Sequence, residues 1–312
     1  MKERITPHLQ RLIARGSTAI REQFKKKRGY VDRSDFDDDP LGEETRYSPV
    51  KGLVHKFGNR VLFKVSYRCA AHCRFCTRFR QIGTSDGDLS TEEMHKCMAY
   101  IAEHGEIDDV ILSGGDPLYT PRDTKVILEE LAKIPHVKVI RIGTRFPVHS
   151  PDSFKSKLVK DLLHAVRIVA KKKVMFVSIH VNHPDELAPN VIRAIRLIEK
   201  TRAILVCQTV FLKGVNNGVA VLEDLFKKLY HLRIRPYYIY HCDKAKGISR
   251  YVCSLKQERR IMTELRKRLS GLAYPMHVVD IPQGRGKVPV PLDFWNGNSR
   301  KVVDFDGTVV KI

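Results

Sequence analysis

The chain has 312 residues, 43% of them hydrophobic and 29% charged, which excludes a disordered or fibrous polypeptide and leaves room for one large domain or two ordinary ones. Lys and Arg number 56 against 35 Asp and Glu, a formal net charge of +21 that suits anionic partners and equally a solvated basic surface. Seven cysteines are too few, and odd in number, for a disulfide framework, and no apolar run reaches the roughly 18 residues of a membrane span, so a cytoplasmic protein with no membrane partner is expected.

In chain order, residues 1–46 read as an extension. Leu9, Leu12, Ile13 and Ile20 recur near helical spacing in a basic helix within 1–30, and the acidic stretch 32–45, broken by Pro and Gly, reads as a linker or loop. From about residue 60, short β-branched and aromatic runs at 61–67, 109–114, 138–144, 173–180, 203–210 and 235–241 predict strands. Helical patterns at 91–104, 122–134, 153–171, 188–200, 218–231 and 255–269 alternate with them. That rhythm predicts an α/β fold of parallel βαβ units over 47–271. Polar groups gather where successive strands end: the cysteines, Gly114-Gly115-Asp116, Arg145, His180, Asn182, Gln208 and Asp243. Chemistry at the carboxyl ends of many strands is the habit of TIM-like barrels, and six units are too few to close the eight-fold form, so a partial (β/α)6 TIM-like barrel is expected. A tail over 272–312 ends in KVVDFDGTVVKI, a hairpin pattern with its turn at Asp306-Gly307.

Cys69, Cys73 and Cys76 fall in the loop after the first of these strands. Thiolates are soft ligands for iron–sulfur clusters, zinc or Cu(I). A [4Fe–4S] cluster takes four ligands, so three cysteines leave one iron open. Structural zinc wants four closed ligands; no partner Cys pair is present, and His72 is the available fourth group.

The Cys-x3-Cys-x2-Cys spacing, followed by Ser113-Gly114-Gly115-Asp116-Pro117 after the next strand, resembles the radical S-adenosylmethionine (radical SAM) superfamily. The segments SPVKGLVHKFGNRVL, CRFCTR, DVILSGGDPL, RIGTR, HVNHPDE, QTVFLKGVNN, RPYYIYHCD and VVDIPQGRGKVP resemble, in order, the lysine 2,3-aminomutase family within it. The resemblance implies a radical SAM partial barrel with a C-terminal pyridoxal 5′-phosphate (PLP) segment, and an isomerase that needs a [4Fe–4S] cluster, S-adenosyl-L-methionine and PLP. Its reaction is a 1,2-amino migration started by a 5′-deoxyadenosyl radical, L-lysine to β-lysine in the first instance. It implies Cys69, Cys73 and Cys76 as cluster ligands and Gly114, Gly115 and Asp116 beside the methionyl amine of SAM. Lys287 would be the catalytic lysine that carries PLP, with Arg60, and less directly Lys56, on its phosphate; His180 and Gln208 match positions near SAM or PLP. Arg78 matches the arginine that grips the substrate α-carboxylate, and Asp243 and Asp280 the pair that takes the ε-ammonium of lysine.

An amino-acid substrate and an electron donor such as flavodoxin or ferredoxin are the expected partners; a homo-oligomer is left open. Other readings stand beside it: a β-lysine-forming enzyme for elongation factor P modification, an arginine or glutamate 2,3-aminomutase, an RNA-modifying radical SAM protein suggested by the charge, and a non-enzymatic iron–sulfur regulator. No nucleic-acid-binding module is recognisable, so nucleic acid is not an expected partner. Departures from the family are Phe57, where Tyr is common, and Gln283 and Arg285, which interrupt a glycine run before the lysine.

Overall fold

The computed structural model describes residues 3–27, 29–32, 36–83, 88–294, 301–304 and 308–311. Nine strands form one sheet in strict chain order: β1 (Leu53–Phe57), β2 (Arg60–Ser66), β3 (Asp109–Gly114), β4 (Val139–Thr144), β5 (Val174–His180), β6 (Ile204–Val210), β7 (Arg235–Tyr240), β8 (Met276–Asp280) and β9 (Lys287–Pro289). β2 to β8 pair in parallel, and β1 and β9 close the two edges antiparallel. Six helices follow the strands: α3 (Thr91–Glu103), α4 (Pro121–Leu131), α6 (Lys157–Val169), α7 (Pro189–Glu199), α8 (Val219–His231) and α9 (Leu255–Arg268), with the short turn α5 (Phe146–His149) after β4. This is the expected partial barrel, with six βα units and a seventh parallel strand. β8 and β9 lie in the 272–312 segment yet continue the barrel sheet.

The core explains the register. Val61, Phe63 and Val65 on β2, Val110 and Leu112 on β3, and Ile140 and Ile142 on β4 are buried against the helix layer. The alternate positions, Leu62, Lys64 and Ser66 among them, face the barrel interior. α3 begins with a reciprocal cap in which Ser90 accepts from the Glu93 amide while Glu93 accepts from the Ser90 amide.

The single N-terminal helix expected within 1–30 is two helices, α1 (Pro7–Ala14) and α2 (Thr18–Phe24), because Gly16 turns left-handed at φ +94° and Ser17 caps the second. They are docked: Leu9, Ile20 and Phe24 pack with Ala71 of the cysteine loop, the His72 amide donates to the Arg4 carbonyl, and the Arg74 amide donates to the Gln23 carbonyl. At the other terminus β10 (Lys301–Val303) pairs antiparallel with β11 (Val309–Lys311), as the hairpin pattern predicts; its turn at Asp306-Gly307 lies outside the described residues. Among the described residues no helix is long and apolar enough to cross a membrane.

Candidate active site

The cysteine loop leaves the carboxyl end of β2 and is fixed from below by the glycine turn after β3. The Gly115 amide donates to the Ser66 carbonyl at 2.6 Å and the Asp116 amide to the Arg68 carbonyl at 2.8 Å. A Cβ on Gly114 would stand 2.4 Å from the Ser66 oxygen, and one on Gly115 2.2 Å from the Arg68 oxygen. The absent side chains therefore serve close packing of two backbones, and the amides of this turn are spent on the loop. The Asp116 carboxylate is also internal: it accepts from the Leu118 amide, Thr144 Oγ1 and the Arg145 amide, while burial pushes its pKa up to about 6. Asp116 joins the end of β3 to the end of β4, so what it can do for a ligand it does through the backbone.

Cys69, Cys73 and Cys76 are free thiols, all partly buried. Burial raises the pKa of each, that of Cys76 to about 12, and their nearness to one another adds to the rise at Cys69 and Cys76. Three desolvated thiols that penalise one another's ionisation would be relieved by a cation shared among them, and soft thiolates of this kind fit an iron–sulfur cluster. Among the described residues no three His, Cys, Asp or Glu side chains stand close enough to hold one metal ion. Cluster ligands each take a different iron, so they need not crowd around one ion as the four ligands of a structural zinc do.

Cys73 has a neighbour the sequence did not assign. Arg145, 5% exposed, donates from Nη1 to Cys73 Sγ at 2.9 Å. Its Nη2 reaches Glu186 Oε1 at 2.9 Å and Gln23 Oε1 at 2.6 Å, and Gln23 donates in turn to Glu186. Glu186 and Gln23 are fully buried, so α2 of the extension belongs to the shell around the thiols. His180 ends β5 beneath the same loop, 5.7 Å from the Phe75 ring, and bonds Asn182; burial lowers its pKa to about 3 and keeps it neutral. Gln208 is the β6 partner of His180 in register, on the inner face.

Across the mouth stand Lys287, Asp280 and Asp243. Lys287 Nζ donates to both Asp280 oxygens at 2.6 Å and lies 5.0 Å from the centre of the Tyr240 ring. Burial, then the neighbouring Asp280 charge, raises the Asp243 carboxyl to about 7, and Lys287 opposes the rise. The loop before Lys287 explains the departure from a glycine run. Gln283 adopts φ 61°, a left-handed value glycine favours, and is held there by its amide to the Pro40 carbonyl and its side chain to Asp37. Lys56 shares this electrostatic neighbourhood, and burial lowers its pKa. Phe57 is partly exposed, with the Arg60 guanidinium 5.5 Å from its ring centre.

Arg60 lies below the mouth at the start of β2, and its charge reaches Tyr238 of β7, which packs on the Tyr240 ring beside Lys287. Arg60 stands beside Asp109 at the start of β3; Asp109 also accepts from Arg141 Nε at 2.9 Å. Arg60 Nε stands 3.1 Å from Asp109 Oδ2 yet is buried without an aligned hydrogen bond. Two guanidinium groups against one carboxylate leave a positive floor with an orphaned donor, which fits a phosphate.

Arg78 is brought to the mouth, but its guanidinium is already engaged. Nε and Nη2 each donate to Glu43 at 2.7 Å, and Nη1 reaches Ser113 Oγ at 3.3 Å. Burial works to raise the Glu43 carboxyl and the Arg78 charge wins, holding it below the usual range. The stretch 32–45 is thus no mere linker: Asp39 accepts from the amides of Glu43, Glu44 and Thr45 and fixes Glu43 over Arg78.

Comparison with known proteins agrees with this geometry. Residues 63–228 match the Radical SAM superfamily. The chain is 37% identical over 276 residues to the L-lysine 2,3-aminomutase of Clostridium subterminale, covering 87% of this chain and 64% of that protein, so it spans less than two thirds of that relative's length. It is 36% identical over 312 residues to the L-lysine 2,3-aminomutase of Fusobacterium nucleatum, covering 98% of this chain and 72% of the relative. A crystal structure of a radical SAM methyltransferase from Sphaerobacter thermophilus shares the fold at a TM-score of 0.50 and 17% identity, over 75% of this chain and 69% of that one. The chain belongs to the radical SAM superfamily and, within it, to the lysine 2,3-aminomutase family.

Proposed function

We propose that the protein is an amino-acid 2,3-aminomutase whose substrate is L-lysine and whose product is β-lysine. One observation carries the choice of substrate: Asp280 already grips a primary ammonium, that of Lys287, at 2.6 Å through both oxygens, with Asp243 beside it. A buried ammonium needs such carboxylates, and a substrate ammonium can take the same grip once the Lys287 amine is engaged elsewhere. Glutamate would bring a third carboxylate to this pair.

In this reading Cys69, Cys73 and Cys76 hold the cluster, Lys287 holds PLP, and Arg60 with Lys56 faces its phosphate. The Gly114–Asp116 turn shapes the SAM side of the cysteine loop, with His180 and Gln208 lining the floor beneath it. When bound, the cluster supplies one electron for homolysis of SAM and PLP supplies a carbonyl to carry the migrating nitrogen. The chain's own work is positional: Arg78 orients the α-carboxylate, Asp243 and Asp280 fix the far end, and the docked extension covers the thiols against water. Read this way, 1–46 is the cover, 47–271 the barrel and 272–312 the PLP segment, with a one-electron donor such as a flavodoxin or ferredoxin as partner.

The test is anaerobic reconstitution with iron, sulfide and PLP, then separate incubation with lysine, glutamate and arginine and chiral chromatography of the products. β-Lysine from lysine alone is expected. Equal inertness toward all three overturns the reading.

A further inference from the structure

Lys64 is a buried cation with no carboxylate in direct contact. It occupies an inner-face position on β2, between Leu62 and Ser66, and is only 2% exposed. Among the described residues its ammonium makes no hydrogen bond and no ion pair; what it touches is the Tyr67 ring, 5.7 Å to the centre. An ammonium this far desolvated is stabilised by a bonded anion, so the interior at this point suits one.

The neighbours of Lys64 show where that anion would sit. Lys64 pairs in register with Ser113 of β3, and Ser113 Oγ accepts from Arg78 Nη1. Arg78 and Lys64 therefore converge on one inner-face position. Arg78 is gripped by Glu43 along its Nε–Nη2 edge, which leaves the Nη1 end turned toward Ser113. Among the groups nearest this position, two cations stand against the one carboxylate of Glu43. The further acids act at longer range: Glu44 accepts from Arg80 at 2.6 Å, and Asp39, held by three backbone amides, adds a more distant negative charge. The local charge suits a single carboxylate, while a phosphate finds a second guanidinium pair lower in the barrel, on Arg60 and Arg141.

We propose that Lys64 and Arg78 together form the subsite for the α-carboxylate of the amino-acid substrate, Lys64 as a second point charge and Glu43 as the positioning residue that holds Arg78 toward it. The inference rests on the aminomutase reading for the identity of the ligand. Burial and the Arg78 charge push the Lys64 pKa down against the opposing pull of Glu43, Glu44 and Asp39, so an arriving carboxylate adds counter-charge that favours the protonated ammonium.

The test uses the reconstituted protein with Lys64→Met, which keeps the buried volume, and Lys64→Gln as a second variant. KM for lysine should rise roughly 10- to 100-fold with kcat within about threefold, the loss of one charge-assisted contact. The diamine that lacks only the carboxylate should inhibit wild type and variants equally. Stabilisation against heat by added lysine, which needs no turnover, should be lost in both variants, while SAM affinity stays unchanged. An unaltered KM together with unaltered thermal stabilisation overturns the proposal, as does equal weakening of the diamine, or a loss confined to SAM. If wild type turns over no amino acid yet is stabilised by lysine in a Lys64-dependent way, the subsite stands and the aminomutase reading falls.

Discussion

Lys287 and Asp280 form a bidentate ion pair, Nζ to both carboxylate oxygens at 2.6 Å, across the antiparallel register that sets one opposite the other on β9 and β8. Under the proposed assignment, Asp280 holds Lys287 while its amine is free and is released for an incoming ammonium when that amine is engaged. Lys287→Ala should abolish the visible absorbance of bound PLP and all turnover. Asp280→Asn should keep the PLP absorbance and raise KM for lysine by roughly 10- to 100-fold, the loss of one charged partner. Retention of PLP by Lys287→Ala would remove the cofactor assignment.

Asp243 sets a pH dependence whose sign is fixed by its environment. Burial and the adjacent Asp280 raise its carboxyl to about 7, so it is neutral in acid and charged in base. Binding of a substrate ammonium should therefore strengthen as pH rises through about 7, read as a falling KM for lysine between pH 6 and pH 8 (roughly one unit either side). For stability the direction is opposite. A carboxyl whose folded pKa lies above its unfolded value contributes fully below the unfolded value, and that contribution is lost as pH rises through about 7. Asp243→Asn should melt higher than wild type at pH near 8 and show no such advantage in acid, by calorimetry at both values. Asp280→Asn, by removing the second cause of the shift, should move the KM profile toward acid.

Glycine at 115 is a steric requirement of the cysteine loop. A methyl there would meet the Arg68 oxygen at 2.2 Å and the Arg68 nitrogen at 2.6 Å, both backbone atoms that cannot swing aside. Overpacking of this kind costs about 1–3 kcal/mol or more, and relief requires the 66–68 backbone to move, carrying Cys69 with it. Gly115→Ala should lower the melting midpoint and the iron bound after reconstitution. Wild-type iron content in that variant would show that the loop tolerates the shift.

The barrel was legible in the sequence because its signals are local. Each β-branched run and each amphipathic helix falls within a few residues of its predicted place, apart from the start of α6, where Pro151–Lys155 forms a separate 3-10 turn. The cysteine loop and Lys287, which opens the KVP strand, were marked in the sequence by motif. What could not be read was contact between distant segments: Glu43 with Arg78 is 35 residues apart, Gln23 with Glu186 is 163. Lys64 gave a usable signal, since the alternation of Leu62, Lys64 and Ser66 against Val61, Phe63 and Val65 places a lysine on the inner face of a barrel strand. Gly114 and Gly115 also admit the Ser66–Arg68 backbone, a packing role that composition does not carry.

Arg145 offers the sharpest test of whether the extension and the barrel build one electrostatic shell around the cluster. Its N–H donates to Cys73 Sγ at 2.9 Å, and it is aimed there by Glu186 and Gln23, both fully buried. Hydrogen bonds to cluster sulfurs stabilise the reduced, more negative state and raise the reduction potential. Arg145→Lys keeps the positive charge for Glu186 but not the planar fork that reaches sulfur, carboxylate and amide at once. The midpoint potential of the reconstituted cluster, followed by electron paramagnetic resonance, should become more negative by tens of millivolts, with about 59 mV corresponding to a tenfold loss of electron affinity. Gln23→Leu should move it in the same direction by a smaller amount, because Arg145 then loses one of its two guides while the Cys73 contact remains available. A potential unchanged in both variants would mean that the network serves packing alone, and that α2 covers the thiols without tuning them.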